Sequence, residues 1–168
     1  MYNNKTGIVK VCMFGFLKRK VRDVYAPIDG QIVALESVDD EVFSQKMVGD
    51  GVAVMPIGNA FTAPIDGVVS KIFSTNHAYS IKSDKDLEVM VHIGLETVSL
   101  NGKGFTRIAS EGDTVKAGDI IIEVDLAYIK THAKDIITPI IITDESDVKG
   151  IEKKYTIVKS GDKIMEVN

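Results

Sequence analysis

Short apolar runs separated by turn signals recur along most of the chain. The runs are rich in Val and Ile, and glycine-containing turns interrupt them throughout. They cover residues 31–35, 52–55, 67–73, 87–93, 120–124, 138–142 and 164–167. Regularly spaced short strands of this kind predict an all-β fold, an antiparallel sandwich or barrel.

Helical patterning is scarce by comparison. Residues 126–134 place Leu126, Ile129 and Ala133 at helical spacing, which predicts one short helix. Residues 40–43 predict no more than a single helical turn. The fold class expected from the pattern is therefore all-β with little helix.

The chain also contains an internal repeat. Residues 26–33 return as residues 63–69, 37 positions later, and each copy begins with Ala-Pro-Ile-Asp-Gly. Pro, Asp and Gly favour a tight turn, and each copy continues into an apolar run. A second echo relates residues 111–120 to residues 159–164. The two echoes occur in matching order and predict a duplicated hybrid motif, an architecture between barrel and sandwich.

The 168 residues suffice for one domain with a sizeable core, which we place at residues 22–168. The formal net charge of −4 argues against a nucleic-acid binder, which would show a basic stripe, and suits a basic partner. The single cysteine, Cys12, excludes an intramolecular disulfide and is consistent with a cytoplasmic location. We expect a monomer.

The first 21 residues differ in character from the rest. Residues 13–22 mix apolar and basic side chains, which permits weak contact with an anionic membrane surface. We expect a flexible tail instead. Met13 is a second candidate start, so residues 1–12 are expected to be dispensable.

Two of the three histidines, His77 and His92, lie 15 positions apart in strand-like runs. Along residues 87–93, His92 alternates with the more apolar set and therefore projects away from it. Gly94, two positions later on the same face, is expected to leave open space beside His92. The same alternation places His77 on one face with Tyr79. Thr75 lies there too, and its hydroxyl can orient the His77 ring.

Spacing alone leaves three interpretations of these histidines open. They can be unrelated structural residues, a phosphohistidine site or a metal site. Metal binding needs a third and commonly a fourth ligand. The chain has no His-x-His, His-Glu-x-x-His or Cys-x-x-Cys motif to supply them.

The residues on either side of the two histidines are more informative than the spacing between the histidines. Residues 76–81 and 91–98 resemble the two histidine motifs of the glucose-type enzyme IIA family of the bacterial phosphoenolpyruvate-dependent sugar phosphotransferase system. The likeness runs in order over residues 22–168. Tyr79 and Ile93 stand where Phe is frequent in that family. The N-terminal segment does not closely match the amphipathic anchor of some members.

The resemblance implies an antiparallel β-sandwich with a shallow active-site depression. It implies that His92 becomes the tele-phosphohistidine, accepting phosphate from the carrier protein HPr and passing it to a cysteine on the IIB domain of a glucose-type sugar permease. His77 would stabilise the phosphoryl group, and Thr75 would orient His77. The chain would thus be a phosphotransferase component with a covalent intermediate, not a stand-alone turnover enzyme.

The resemblance also implies a docking surface for these partners. Its expected residues, called here the docking rim, are Asp40, Phe43, Met47, Val48, Phe73, Glu96 and Val98. Asp40 and Glu96 would contact arginines of HPr. No cofactor and no intrinsic metal are implied, although a zinc ion bridging His77 and His92 to a partner carboxylate occurs in the family. Some members, when unphosphorylated, also inhibit sugar permeases and glycerol kinase.

Two other classes compete with the phosphocarrier. A zinc hydrolase on a barrel-sandwich scaffold would need a His-x-His and an additional His/Asp motif, which are absent. A biotinyl or lipoyl carrier shares the paired Gly-Asp turns but needs an exposed hairpin lysine, typically in Met-Lys-Met or Asp-Lys-Ala. Lys46-Met47 matches only part of such a motif.

Overall fold

The fold is built almost entirely from short β-strands. The computed structural model describes residues 21–143 and 148–168. The strands within them are β1 (Arg22–Tyr25), β2 (Gly30–Ala34), β3 (Asp50–Pro56), β4 (Ala60–Thr62), β5 (Gly67–Ile72), β6 (Ala78–Lys82), β7 (Glu88–His92), β8 (Phe105–Arg107), β9 (Thr114–Val115), β10 (Ile120–Val124), β11 (Thr138–Ile142), β12 (Ile151–Lys153), β13 (Ile157–Val158) and β14 (Lys163–Val167). The predicted all-β class is confirmed.

Two short α-helices complete the described elements, with 3-10 turns at Leu35–Ser37 and Thr97–Leu100. The first helix, α1 (Glu41–Ser44), begins where a single turn is predicted, and the Asp40 carboxylate caps it by accepting from the Val42 amide at 2.9 Å. The second, α2 (Leu126–His132), falls within the predicted helical stretch and is slightly shorter.

Three antiparallel sheets form the sandwich. The large sheet has the strand order β13-β2-β3-β11-β7-β6-β5-β9, and two small sheets have the orders β4-β10-β8 and β1-β14-β12. One core cluster combines Val54 and Val91 of the large sheet with Phe61 and Ile164 of the two small sheets. The small sheets therefore cover the inner face of the large sheet.

The outer face of the large sheet carries a second, smaller apolar cluster. Phe43 of α1 packs there with Ala53 and Ile141, which project outward from β3 and β11. On β7, Val89 and Val91 are fully buried, whereas His92 is only half-buried. The predicted outward orientation of His92 is thus confirmed, and α1 lies on the same outer face.

The sequence repeat appears as two equivalent aspartate contacts. Asp29 in the first copy accepts hydrogen bonds from the Ser160 amide at 2.7 Å and Lys159 Nζ at 3.1 Å. Asp66 in the second copy accepts equivalent bonds from the Ala117 amide at 2.9 Å and from the lysine before it. Each copy of the Ala-Pro-Ile-Asp-Gly turn is therefore hydrogen-bonded to one segment of the second repeat, the first copy to residues 159–164 and the second copy to residues 111–120.

The two copies also contact each other reciprocally. The Tyr25 amide donates to the Pro64 carbonyl, and the Thr62 amide donates to the Pro27 carbonyl, both at 2.8 Å. These paired bonds join the two turns of the repeat, as a duplicated motif requires.

The expected tail falls almost wholly outside the described residues, of which Val21 is the first. Its flexibility, its contact with a membrane surface and the dispensability of residues 1–12 stay predictions. None of the helices in residues 21–143 and 148–168 is long and apolar enough to cross a membrane.

The Asp66 contact gives a direct test of the repeat. We expect Asp66→Ala to lower the free energy of unfolding by about 1 kcal/mol, because two hydrogen bonds to a largely exposed carboxylate are lost. Asp66→Asn keeps an acceptor for the Ala117 amide and should cost less. The pKa of Asp66 is lowered, chiefly by that amide, so the difference from wild type should be present at neutral pH and vanish once acid protonates the carboxylate.

Urea unfolding of both variants would measure these losses, with Asp84→Ala as an exposed aspartate control. Equal stability of Asp66→Ala and Asp84→Ala would contradict a structural role for the repeated aspartate.

Candidate functional site

The two histidines meet on the outer face of the large sheet, where β6 begins and β7 ends. His92 is the last residue of β7, and it pairs with Ala78, the first residue of β6. His77 directly precedes that strand. The two ring centroids lie 4.9 Å apart with an interplanar angle of 74°, so the rings meet edge to face. His77 and His92 are called the imidazole pair below.

One hydrogen bond sets the tautomer of His92. Its Nδ1 lies 2.9 Å from the Gly94 carbonyl oxygen, which can only accept. Nδ1 therefore carries the proton, and Nε2 presents its lone pair. This hydrogen bond therefore gives His92 a free lone pair on Nε2, in a ring whose position is fixed.

Gly94 is needed for a reason that differs from the predicted one. The residue is buried with φ +72°, and a Cβ at this position would lie 2.7 Å from Thr97 Cγ2 and 2.8 Å from the Asp135 carbonyl oxygen. The expected open space beside His92 is thus wrong. Only glycine fits this close approach, which aims the Gly94 carbonyl at the His92 ring.

His77 also departs from the expectation drawn from strand alternation. That alternation places it with Tyr79, which is fully buried in the core. The His77 ring instead contacts His92, which lies on the outer face. The reason is local: His77 precedes the strand and follows Asn76, whose φ of +58° interrupts the extended chain.

Thr75 contacts the other ring of the pair. Its Oγ1 lies 2.5 Å from His77 Nδ1. A hydroxyl that donates to Nδ1 leaves the His77 proton on Nε2. The pair would then present one donor nitrogen and one acceptor nitrogen.

Burial keeps both imidazoles neutral. Desolvation, together with the neighbouring His92, lowers the pKa of His77 from 6.5 to about 4. Desolvation also lowers the pKa of His92, although the Gly94 carbonyl and the Asp40 carboxylate oppose this. Neither ring is an imidazolium at neutral pH, so the nucleophilic lone pair of His92 is available.

Two aromatic rings flank the imidazole pair. Phe43 of α1 packs against His92 with ring centroids 5.0 Å apart, and Phe73 packs against His77 at 5.5 Å. Phe43 is buried, and Phe73 is half-buried. These rings exclude water from one side of each imidazole and contribute to the desolvation.

The remaining residues of the docking rim are more exposed. Met47 and Val48, in the turn between α1 and β3, are 69% and 38% exposed, and Val98 in the 3-10 turn after β7 is 57% exposed. Asp40 at the start of α1 is close enough for its charge to act on His92. Glu96 is exposed with φ +57°. The docking rim thus combines exposed apolar side chains with two carboxylates, of which Asp40 acts on His92.

A metal ion would find few ligands in this part of the molecule. Within residues 21–143 and 148–168, no group of three or more His, Cys, Asp or Glu side chains could hold one. The imidazole pair supplies two nitrogen ligands, so a zinc ion there would need further ligands from another source.

Arg107 is a contact of the site that no sequence pattern indicated. It reaches from β8 of a small sheet to Asn76 and Phe73, next to the imidazole pair. A single arginine in a strand of three residues carries no periodic or motif signal, so only the three-dimensional pairing reveals it.

The β-sandwich and its neutral imidazole pair agree with the phosphocarrier class, to which the comparisons with known proteins also point. Residues 22–148 match the family described as phosphoenolpyruvate-dependent sugar phosphotransferase system, EIIA 1. The chain belongs to this family, and it is a phosphoryl carrier that works with the phosphocarrier and sugar permease components of that system.

Individual relatives agree with the family assignment. The PTS system glucose-specific EIIA component of Haemophilus influenzae is 52% identical over 143 residues, covering 85% of this chain and 86% of the relative. That of Borreliella burgdorferi is 46% identical over 140 residues, covering 83% and 74%. The solved structure of glucose permease IIA from Mycoplasma capricolum superposes with a TM-score of 0.84 at 40% identity, covering 88% of this chain and 96% of that one.

The lowered pKa of His77 predicts a pH-dependent stability. Below about pH 6.5 the unfolded chain takes up a proton at His77 that the folded protein does not accept until about pH 4. Lowering the pH from 7 to 5 should therefore cost the wild type about 2 kcal/mol of unfolding free energy that His77→Gln does not lose. Urea unfolding of both proteins at several pH values checks this, because the shared carboxylates cancel in the difference. Parallel profiles would refute a buried, neutral His77.

Proposed function

We propose that Nε2 of His92 accepts a phosphoryl group from the phosphohistidine of HPr and passes it to a cysteine on the IIB domain of a glucose-type sugar permease. The proposal rests on one observation above all, the Nδ1–Gly94 contact that leaves the lone pair on Nε2 of His92, whose ring packs against that of His77. The relatives are named glucose-specific, which supports the sugar class. In this proposal the carrier is a cytoplasmic monomer, and residues 22–168 are its working domain behind an N-terminal tail at residues 1–21.

Acceptance of the phosphoryl group exchanges one P–N bond for another. The His92 Nε2 lone pair attacks phosphorus, and the P–N bond to the HPr histidine breaks with its electron pair returning to that nitrogen. Positive charge develops on the His92 ring during attack. The Gly94 carbonyl, which already accepts from Nδ1, stabilises that charge without having to reorient.

His77 has a different task, which is to stabilise the phosphoryl oxygens. With Nδ1 engaged by Thr75, the Nε2–H can donate to an oxygen of the transferring group. The negative phosphoryl group raises the pKa of a neighbouring imidazole, so a ring that is neutral in the free protein gains positive character only while phosphate is bound. Stabilisation is thus strongest during transfer.

Onward transfer reverses the roles at His92. A cysteine thiolate of the IIB domain attacks phosphorus on the side opposite Nε2, a P–S bond forms, and the P–N electron pair returns to His92. A phosphohistidine suits this relay because its P–N bond is labile enough to be passed on.

The docking rim suits partners that carry basic residues around an apolar contact. Met47, Val48 and Val98 provide exposed apolar surface, and Asp40 and Glu96 provide negative charge beside it. Charge complementarity of this kind accelerates association and orients the partner. A partner carboxylate brought against the imidazole pair could also complete a bridged zinc site, the only form in which we propose metal binding.

Two variants separate acceptance from onward transfer. We expect His92→Ala to take up no phosphate, because the nucleophile is gone. His77→Gln keeps a hydrogen-bond donor and should accept phosphate, yet pass it on about 100-fold more slowly because charge stabilisation is weakened. Purified enzyme I, HPr and IIB with phosphoenolpyruvate would measure both steps, and the label on wild type should be acid-labile.

Each outcome of this experiment is informative. An acid-stable label on the wild type would indicate a hydroxyl acceptor and overturn the proposal. Normal relay by His77→Gln would remove the assigned role of His77 while leaving His92 as the acceptor.

The docking rim is tested by placing charge on its apolar part. We expect Met47→Glu and Val98→Glu each to raise the KM for phosphorylated HPr about tenfold, since a buried apolar contact becomes a desolvated carboxylate. Ile157→Glu is the matched control. Ile157 is 78% exposed on β13, four strands and roughly 20 Å from β7. Equal effects of all three substitutions would show that the docking surface lies elsewhere.

A further inference from the structure

The turn that carries Thr75 and His77 connects β5 to β6. Within it the Asn76 amide donates to the Phe73 carbonyl at 2.8 Å, and the Phe73 amide donates to the Ala78 carbonyl at 3.0 Å. Asn76 adopts φ +58°, a conformation that costs free energy for residues other than glycine and asparagine. Asparagine tolerates this conformation, and contacts from outside the turn add to its two backbone hydrogen bonds.

Such contacts come from a different sheet. Arg107, the last residue of β8, donates from Nε to Asn76 Oδ1 at 2.9 Å and from Nη2 to the Phe73 carbonyl at 3.4 Å. One planar guanidinium thus spans the turn and donates hydrogen bonds to it on both sides of Thr75. A lysine ammonium is a single point donor on a flexible stem and cannot reproduce this fork.

We infer that Arg107 is a positioning residue for phosphoryl transfer, holding the 73–77 turn so that the His77 ring faces His92. This inference rests on the proposed function of the imidazole pair. Asn76 immediately precedes His77, and Thr75 makes the 2.5 Å contact that sets the His77 ring. A shift of about 1 Å in a positioning group is enough to slow a reaction strongly.

A second contact from the same part of the chain supports this reading. Glu111, shortly after Arg107, accepts from the Ile72 amide at 2.8 Å, immediately before the turn begins. The connection that follows β8 is therefore hydrogen-bonded to the end of β5, and Arg107 adds hydrogen bonds to the turn itself. The small sheet β4-β10-β8 thereby fixes a functional turn of the large sheet.

Arg107 should affect the rate of phosphoryl transfer only by positioning His77. We expect Arg107→Met to slow onward transfer from phosphorylated His92 to IIB about tenfold in kcat, with KM changed by less than about twofold. Arg107→Lys should recover little of this loss. Lys103→Met removes the same charge from an exposed site before β8 and is the matched control, which should relay like the wild type.

A double-mutant cycle with His77→Gln decides whether the effect runs through His77. If Arg107 acts by placing His77, adding Arg107→Met to His77→Gln should slow transfer by less than about twofold further. Multiplying losses would overturn the inference, because Arg107 would then act on the partner, on His92 or on folding. Asn76→Gly, which keeps the positive φ but removes the accepting oxygen, should resemble Arg107→Met.

A measurement independent of transfer separates failure of this inference from failure of the proposed function. Nitrogen NMR of the unphosphorylated wild type should show one His77 tautomer, with the proton on Nε2, whereas Arg107→Met should show a mixture. An unchanged tautomer together with an unchanged transfer rate would refute the positioning role. Absence of phosphate uptake by the wild type would refute the proposed function, and the NMR comparison would still decide the structural role of Arg107.

Discussion

The hydrogen bond from His92 Nδ1 to the Gly94 carbonyl is the interaction on which the proposed chemistry of this protein depends. It fixes the tautomer that leaves the lone pair on Nε2, and in the proposed transfer it supports positive charge on the ring. The bond exists because β7 ends at His92 and the chain turns sharply at Gly94, where no side chain fits. A backbone constraint thus determines which nitrogen of His92 keeps its lone pair.

The rest of the fold forms the environment of that hydrogen bond. The large sheet places His77 opposite the end of β7, α1 lays Phe43 on His92, and the resulting desolvation keeps both rings uncharged. Two small sheets cover the inner face, and the duplicated aspartate turns join the copies of the repeat. The outer face is left for the imidazole pair and its docking rim. This exposed apolar and acidic surface suits the proposed carrier, which docks two protein partners in turn.

Much of this was predictable from the sequence. The predicted runs 52–55, 87–93 and 138–142 matched β3, β7 and β11, because alternation and β-branched residues carry a strong local signal. The repeat of Ala-Pro-Ile-Asp-Gly predicted a duplication, which the paired Asp29 and Asp66 contacts confirm. The two histidine motifs predicted the family through their resemblance to known members, a level of detail that spacing alone did not reach.

Other features were beyond local patterns. Strands of two or three residues, such as β9 and β13, carry no periodicity. Alternation misplaced His77, since a left-handed residue at Asn76 breaks the strand before it begins. The need for glycine at Gly94 and the reach of Arg107 depend on contacts between segments distant in sequence.

The most direct test of this account is the position of phosphorus on the protein itself. Phosphorus and nitrogen NMR of the protein, labelled with ¹⁵N in its histidines and phosphorylated through HPr, identifies the bonded nitrogen by its coupling to phosphorus. The account predicts a single phosphorylated residue, His92, bonded through Nε2 while Nδ1 keeps its proton. Phosphorus on Nδ1 of His92, or on His77, would contradict it.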